Sequence, residues 1–205
     1  MWASALATQT WEAVECLVYL DEDDPHLAAY EKINGIKVTV GPRISISEAW
    51  NLIAAKASGS ILMLCADDLL FRTEGWDKLI AQEFEKVLDR IVLVYGRDGY
   101  QDEALATHPF LHRNWMKTVG YFVPPYFTAS YDDTWLNDVA DMIGRKRFVP
   151  EVLIEHMHPA AGKALSDQTY DEALGRFVSD DMAGVYASLE DERRKWAELL
   201  RGAME

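Results

Sequence analysis

Short apolar runs alternate, through the first half of the chain, with stretches whose apolar residues recur at helical spacing. Residues 2–12, with Trp2, Ala5, Leu6 and the following Ala13, predict a helix. Residues 16–20 form a β-type run that ends in acid, Asp21-Glu22-Asp23-Asp24-Pro25. Pro25 suits the first turn of a helix reaching about residue 33, with Asp24 as its N-cap. Asn34-Gly35 marks a turn, residues 36–40 a second strand, and Gly41-Pro42-Arg43 its end. A helix over 48–57 follows, capped by Ser45 or Ser47, with Glu48 in capping-box register to Ser45. Residues 61–65, Ile-Leu-Met-Leu-Cys, read as a strand buried on both faces; Ala66 then leads to the adjacent carboxylates Asp67 and Asp68. A helix over 76–88 and a strand over 91–95 complete four strands alternating with three helices. That alternation predicts an α/β fold with a mostly parallel, Rossmann-like sheet flanked by helices.

Beyond Gly96 the rhythm changes. Residues 97–103 form a polar loop, 104–110 a further strand, and 112–119 a short helix. Residues 121–131 are aromatic and carry Pro124-Pro125, which predicts a shaped loop. Asp132 or Asp133 caps a helix to about residue 143. The strand over 148–155 is interrupted by Pro150, a sign of an edge position or a bulge. Residues 160–163 read as a mobile loop, and 180–204 as one charged helix with Val185, Leu189, Trp196 and Leu200 available to pack. This organisation divides the chain into a domain over 1–165 and a helical extension over 166–205 packed upon it.

Composition narrows the partners. With 49% apolar and 26% charged residues the chain has ordinary globular composition. It has no apolar stretch of the ~20 residues that span a bilayer and no secretory leader pattern. Cys16 and Cys65 lie within apolar runs, as reduced core thiols of a cytoplasmic protein do. A net charge of −14 argues against a dedicated nucleic-acid binder, although Gly144-Arg145-Lys146-Arg147 is locally basic. The same acidity suits a cation that bridges an anionic substrate to carboxylates.

Four groups stand at or just beyond strand ends: 21–24, Asp67-Asp68, Asp132-Asp133, and His156 and His158 with Lys163. In open α/β sheets that is where ligands bind. Carboxylates with imidazole suit Mn2+ or Mg2+ on a diphosphate, and a separate carboxylate suits a general base. Each has a bland alternative: a solvated strand exit for Asp67-Asp68, a solvated turn for 21–24, an N-cap for Asp132-Asp133, packing or surface for the two histidines. Arg43 lies in a turn yet can meet a phosphate bidentately, and Lys163 follows Gly162 as in phosphate loops.

The order of these motifs resembles the GT-A glycosyltransferases, in particular the inverting family 2, over about residues 12–158. The resemblance rests on Val18-Tyr19-Leu20-Asp21, Ser47-Glu48-Ala49-Trp50-Asn51, Cys65-Ala66-Asp67-Asp68, Tyr131-Asp132-Asp133-Thr134-Trp135 and Glu155-His156-Met157-His158-Pro159. Residues 106–110, 133–135 and 158–163 together also resemble short family-2-like proteins of bacteria and phages. The resemblance implies that Asp21 contacts the nucleotide base and that Arg43, Asn51, Asp67 and Lys163 serve the nucleotide-sugar. It implies further that Asp67 and Asp68 with His156 or His158 hold Mn2+ or Mg2+, and that Asp133, with Asp132 as the alternate, is the base. Two departures accompany it: Cys65 stands where the first acid of Asp-x-Asp falls, and the sequence opens at the helix that follows the family's first, central strand.

The expected function is therefore transfer of a sugar from a nucleotide-diphospho-sugar, with a UDP-sugar as the expected donor, to an acceptor hydroxyl with inversion. The alternatives are a phage-type enzyme glycosylating a hydroxylated DNA base, which the charge disfavours, and a non-catalytic GT-A-like binding protein. A nucleotidyltransferase would bring a glycine-rich phosphate loop near its start, and none is present.

Overall fold

The computed structural model describes residues 1–11, 14–166 and 168–204. In chain order its elements are α1 (Trp2–Thr8), β1 (Cys16–Asp21), α2 (Leu27–Tyr30), β2 (Ile36–Gly41), α3 (Ile46–Lys56), β3 (Ile61–Met63), β4 (Leu69–Phe71) and α4 (Trp76–Glu85). There follow β5 (Leu93–Arg97), β6 (Phe110–His112), α5 (Arg113–Val119), α6 (Asp132–Met142), β7 (Lys146–His156), α7 (Gln168–Ser179), α8 (Met182–Ser188) and α9 (Glu190–Ala203). Helix α1 ends before Glu12, which together with Ala13 lies outside the described residues.

The layered α/β reading holds, with two departures in the sheet. β1 and β2 pair in parallel as a separate two-stranded sheet, while the other five strands run in the order β3-β6-β5-β7-β4. In the larger sheet only β5 and β7 are parallel; β3 with β6, β6 with β5, and β4 with β7 are antiparallel. The sheet is thus mixed rather than mostly parallel. The segment from β5 to β6 contains no crossover helix, so β6 returns antiparallel beside β5.

β5 and the residues before it are buried on both faces. Ile91, Leu93 and Tyr95 enter one core with Trp115, Trp135, Leu136, Trp196 and Leu200, whereas Val92 and Val94 enter the other with Ala5, Leu69, Trp76, Phe84 and Ile154. The alternation follows from the two-residue period of a strand. β3 differs from its expectation: Leu62 and Leu64 are buried on one face, while Ile61, Met63 and Cys65 are only partly buried on the other. Pro150 marks a bulge, not an edge, because β7 lies between β5 and β4 and its register with β5 slips after Gly96. A Cβ at Gly96 would lie 2.5 Å from the Val152 carbonyl oxygen, so only glycine fits opposite the bulge.

Two links join the sheets. The Glu15 carboxylate accepts from Ser58 N (2.5 Å) and Gly59 N (3.0 Å), and pairs with Lys37 on β2 at 2.6 Å. The first turn of α1 lies between them: the Met1 amine is near enough to act on both Cys16 and Cys65, and Trp2 Nε1 donates to the Asn34 carbonyl just before β2. Burial pushes the Cys65 thiol up to about 12, so it stays protonated, and both cysteines are free.

Local capping decides the remaining differences. Ser45 and Glu48 form the expected capping box on α3. Asp24 accepts from His26 N in a turn instead of capping a helix, and α2 shrinks to four residues. Tyr131, in the left-handed region at φ 76°, is the N-cap of α6, which places Asp132 and Asp133 inside its first turn. The single charged helix expected over 180–204 is two helices, α8 and α9, joined at Leu189.

Candidate functional site

Between β3 and β4 the chain turns through Asp67 and Asp68. A backbone bond from Met157 N to Asp68 O holds that turn to the end of β7, and one from His156 N to Asp98 O holds the loop after β5 to the same strand end. His156 Nε2 lies 3.2 Å from Asp68 Oδ2. Burial alone would raise the Asp68 pKa, but the hydrogen bond and charge of His156 bring it below its ordinary value. His156 also meets two other imidazoles edge-on, His108 at 4.6 Å and His158 at 4.8 Å between ring centroids. Asp67, by contrast, is exposed and makes no contact with this group.

Asp133 joins the same neighbourhood. Burial raises its pKa; Thr134, whose N–H and hydroxyl both meet Oδ1, and the charge of His156 act in the opposite sense. A raised carboxylate pKa suits a general base. Asp132 is differently placed. It is 2% exposed, and its Oδ1 lies 2.7 Å from Ser47 Oγ, which is itself 2.9 Å from the Phe127 carbonyl oxygen. The Ser47 hydroxyl is placed to donate to both the carbonyl and the Asp132 carboxylate. Burial pushes the Asp132 pKa well above the ordinary 3.8, against the lowering effect of the Ser47 bond and with the charge of Asp133 adding to the rise. Asp132 thus ties α6 to α3.

The other sequence-derived residues fall into three places. Asp21 and Arg43 pair at 2.9 Å at the end of β1, where Asp23 (3.9 Å) and Glu172 (3.7 Å) also approach the guanidinium. Asn51 accepts from Phe122 N and Val123 N and donates to Val123 O and Ser47 O, so its amide is fully engaged in holding the aromatic loop. Lys163 pairs with Glu155 at 3.0 Å, and Arg72 meets the same carboxylate at 2.8 Å. Helix α7 bridges the groups, since Tyr170 packs edge-on to His158 at 5.3 Å, Glu172 reaches Arg43, and Phe177 stacks on Tyr131 at 5.8 Å. Two cations of the basic run are paired, Arg145 with Asp89 and Lys146 with Asp141.

Two residues that the sequence reading passed over shape the site. Asp98 is buried; its Oδ1 accepts from Tyr100 N, Gln101 N and Asp102 N, and its Oδ2 from the Thr107 hydroxyl. It thereby folds the loop that puts Tyr100 in a stack on His158 at 5.4 Å. His108 sits just before β6 and meets His156 edge-on. An Asp followed by Gly-Tyr-Gln-Asp was a signal for the first; nothing in the local pattern announced the second.

Among the described residues no three His, Cys, Asp or Glu side chains are already gathered as a metal cage. The donor chemistry nonetheless fits a divalent cation. Asp68 Oδ1 and His156 Nδ1 are buried and have no hydrogen-bond partner among the described residues. His156 meets the Asp68 carboxylate through Nε2, so its Nδ1 lies on the far side of the ring from that contact. His158 fits less well: its Nδ1 accepts from Ala160 N at 3.1 Å, so the neutral ring carries its proton on Nε2.

The layered α/β architecture, with carboxylates and histidines gathered at its strand ends, is a GT-A-like fold. Among solved structures the chain is similar to the mannosyltransferase PcManGT from Pyrobaculum calidifontis in complex with GDP-Man and Mn2+, at 14% identity and a TM-score of 0.56, over 98% of this chain and 68% of that one. No family profile matches the chain, and no curated protein matches it in sequence. Among the described residues no helix is long and apolar enough to cross a membrane.

Proposed function

We propose that the chain is a metal-dependent glycosyltransferase that moves a sugar from a nucleoside-diphospho-sugar to an acceptor hydroxyl with inversion. One observation carries this reading: a strand-end histidine, His156, lies 3.2 Å from a turn aspartate, Asp68, and within electrostatic reach of a helix-start aspartate, Asp133. The likeness in fold to a mannosyltransferase solved with GDP-Man and Mn2+ supports it. Asp68 and His156 would hold Mn2+ or Mg2+, with Asp67 and His158 as nearby alternates. When bound, the cation supplies Lewis-acid stabilisation of the departing diphosphate.

This chain's own residues do the rest. Asp133 takes the proton of the acceptor hydroxyl, its affinity for that proton raised by burial. Asp132 is the alternate, tied at 2.7 Å to Ser47. Arg43 and Lys163 offer positive charge to the phosphates once their carboxylate partners yield, and Asp21 stands where the base would be read. The domain over 1–165 would carry these groups, with α7 of the extension crossing from Arg43 to His158.

The test is a thermal-shift and turnover screen of UDP-sugars and GDP-sugars, GDP-mannose included, with and without Mn2+. A donor bound at 100 times its Kd stabilises the fold by about 2.7 kcal/mol. We expect one donor class to raise the melting temperature in a metal-dependent way and to be consumed. No shift and no turnover with any donor would refute the proposal and leave a non-catalytic binding protein.

A further inference from the structure

A tightly tied loop after β5 presents one exposed ring. Asp98 is buried; its carboxylate takes three backbone N–H groups and the Thr107 hydroxyl, and its carbonyl takes His156 N at 2.9 Å. Gly99, at φ 69°, lies so close to Lys163 that a Cβ there would stand 2.6 Å from Nζ. These ties fix the loop to the end of β7. The next residue, Tyr100, stacks on His158 at 5.4 Å with 13° between the ring planes. His158 in turn lies 4.8 Å from His156, which meets Asp68 at 3.2 Å.

A single exposed tyrosine on a protein surface needs no explanation. This one differs in its place and in its support. Among the described residues Trp11, Tyr100 and Tyr121 are the exposed Trp, Tyr and Phe side chains. Tyr121 stacks on Trp196 of α9, and Trp11 is held by its backbone to Asp77 of α4, so Tyr100 is the one whose ring lies on the candidate site. Although His158 covers one face, the residue is 42% exposed and still offers ring surface to a ligand.

A tyrosine face carries the negative part of the ring quadrupole. The axial C–H bonds of a pyranose carry partial positive charge, so one sugar face stacks on such a ring while the hydroxyls reach polar groups at its rim. The Glu155–Lys163 pair supplies polar groups here, lying against Gly99 immediately before the tyrosine. A nucleobase is the rival occupant. Its proposed reader, Asp21, is paired with Arg43 at the end of β1, and α7 spans from that pair, through Glu172, to His158, through Tyr170. Tyr100 belongs to the His158 end of that span, not to the Asp21 end.

We propose that Tyr100 is the stacking platform for a hexopyranose ring, carried either by the donor or by a saccharide acceptor. The inference rests on the glycosyltransferase reading above and adds a residue and a ring chemistry to it.

The experiment compares the full wild-type chain with Tyr100→Ala, Tyr100→Phe and Tyr100→Trp. The bond that Tyr100 gives the loop is from its backbone N–H to Asp98, which every variant keeps, so all should melt near the wild-type temperature. Binding is read by saturation-transfer NMR with methyl α-mannoside, methyl β-glucoside and methyl β-galactoside. Calorimetry with Mn2+ compares GDP-mannose with GDP and UDP-glucose with UDP. We expect Tyr100→Ala to weaken at least one sugar-bearing ligand roughly 2- to 10-fold and the two aromatic variants to retain it. Loss confined to a nucleotide-sugar assigns the platform to the donor, and loss of a methyl glycoside assigns it to the acceptor. An equal loss for GDP or UDP alone means that the ring holds a base and overturns the proposal, as does unchanged binding of every ligand by Tyr100→Ala. In both of those cases binding and turnover of a nucleotide-sugar by the wild type leave the glycosyltransferase reading intact. Tyr100-dependent binding of a methyl glycoside by a chain that takes no nucleotide-sugar keeps the platform and overturns the transferase. A wild type that binds no sugar-bearing ligand overturns both.

Discussion

Replacing Asp132 by Asn separates the two adjacent carboxylates at the start of α6. Asp132 is buried, and its carboxyl accepts from the Ser47 hydroxyl, which also reaches the Phe127 carbonyl. Its pKa is raised well above 3.8, chiefly by burial. The unfolded chain releases the Asp132 proton near pH 3.8, whereas the folded chain keeps it to higher pH. Stability therefore falls as pH rises from about 3.8 to the folded pKa, by about 1.4 kcal/mol per pH unit. Asparagine has the same shape, accepts from Ser47 and does not titrate. Asp132→Asn should match the wild type at pH 3.8 and gain about 1.4 kcal/mol per pH unit above it until the folded pKa is reached. Urea unfolding at pH 4, 5.5 and 7 measures the difference. A pH-independent difference between variant and wild type, or one that turns against the variant between pH 4 and pH 7, would refute the raised pKa. Turnover supplies the second arm: Asp132→Asn should stay within a few-fold of wild type, while Asp133→Asn should lose about 10²- to 10⁴-fold. The reverse order would exchange their roles.

Other expectations follow from the same geometry. The pH profile of kcat/KM should show an acidic limb above pH 3.8, since burial raises Asp133 and the base must be unprotonated; a limb at or below 3.8 would exclude it. Glu15, lowered from 4.5 to about 2 by Lys37 and the 58–59 turn against the opposing effect of burial, contributes stability that is complete above pH 4.5 and lost as pH falls toward 2. Glu15→Gln should abolish that dependence in acid-unfolding curves, and an unchanged acid transition would contradict it. Asp98→Ala removes the acceptor of four hydrogen bonds and should cost about 3 kcal/mol in urea unfolding; a loss under 1 kcal/mol would mean that water replaces the carboxylate. Glu172→Gln frees one carboxylate from Arg43 and, as an exposed pair is worth up to about 1 kcal/mol, should tighten nucleotide binding no more than roughly fivefold; weaker binding would mean that the contact helps the donor.

Where side chains act on their own neighbours, the sequence was legible. The β1 and β2 runs, the capping box of Ser45 and Glu48, the shaped loop after Gly120 and the interruption at Pro150 all depend on residues a few positions apart. The carboxylates at strand ends were visible for the same reason. Partnership was not. Asp67 and Asp68 look alike in the chain, yet only Asp68 reaches His156, because the turn is fastened to Met157 and carries one side chain inward. Asp132 and Asp133 are equally alike, and a hydroxyl 85 residues away on α3 tells them apart.

The periods of apolar residues, the caps and the breakers determine, by themselves, a layered α/β chain with acid at its strand ends, because each depends on backbone geometry within one or two turns. Tertiary structure alone decided the strand directions, the separation of β1 and β2 from the larger sheet, and which acid ties α6 to α3. It also decided that His108, from a stretch that reads as an ordinary strand, packs edge-on against His156. Those outcomes depend on burial and on hydrogen-bond completion between segments far apart in sequence, where the cost of an unpaired group is set by neighbours that only the fold brings together.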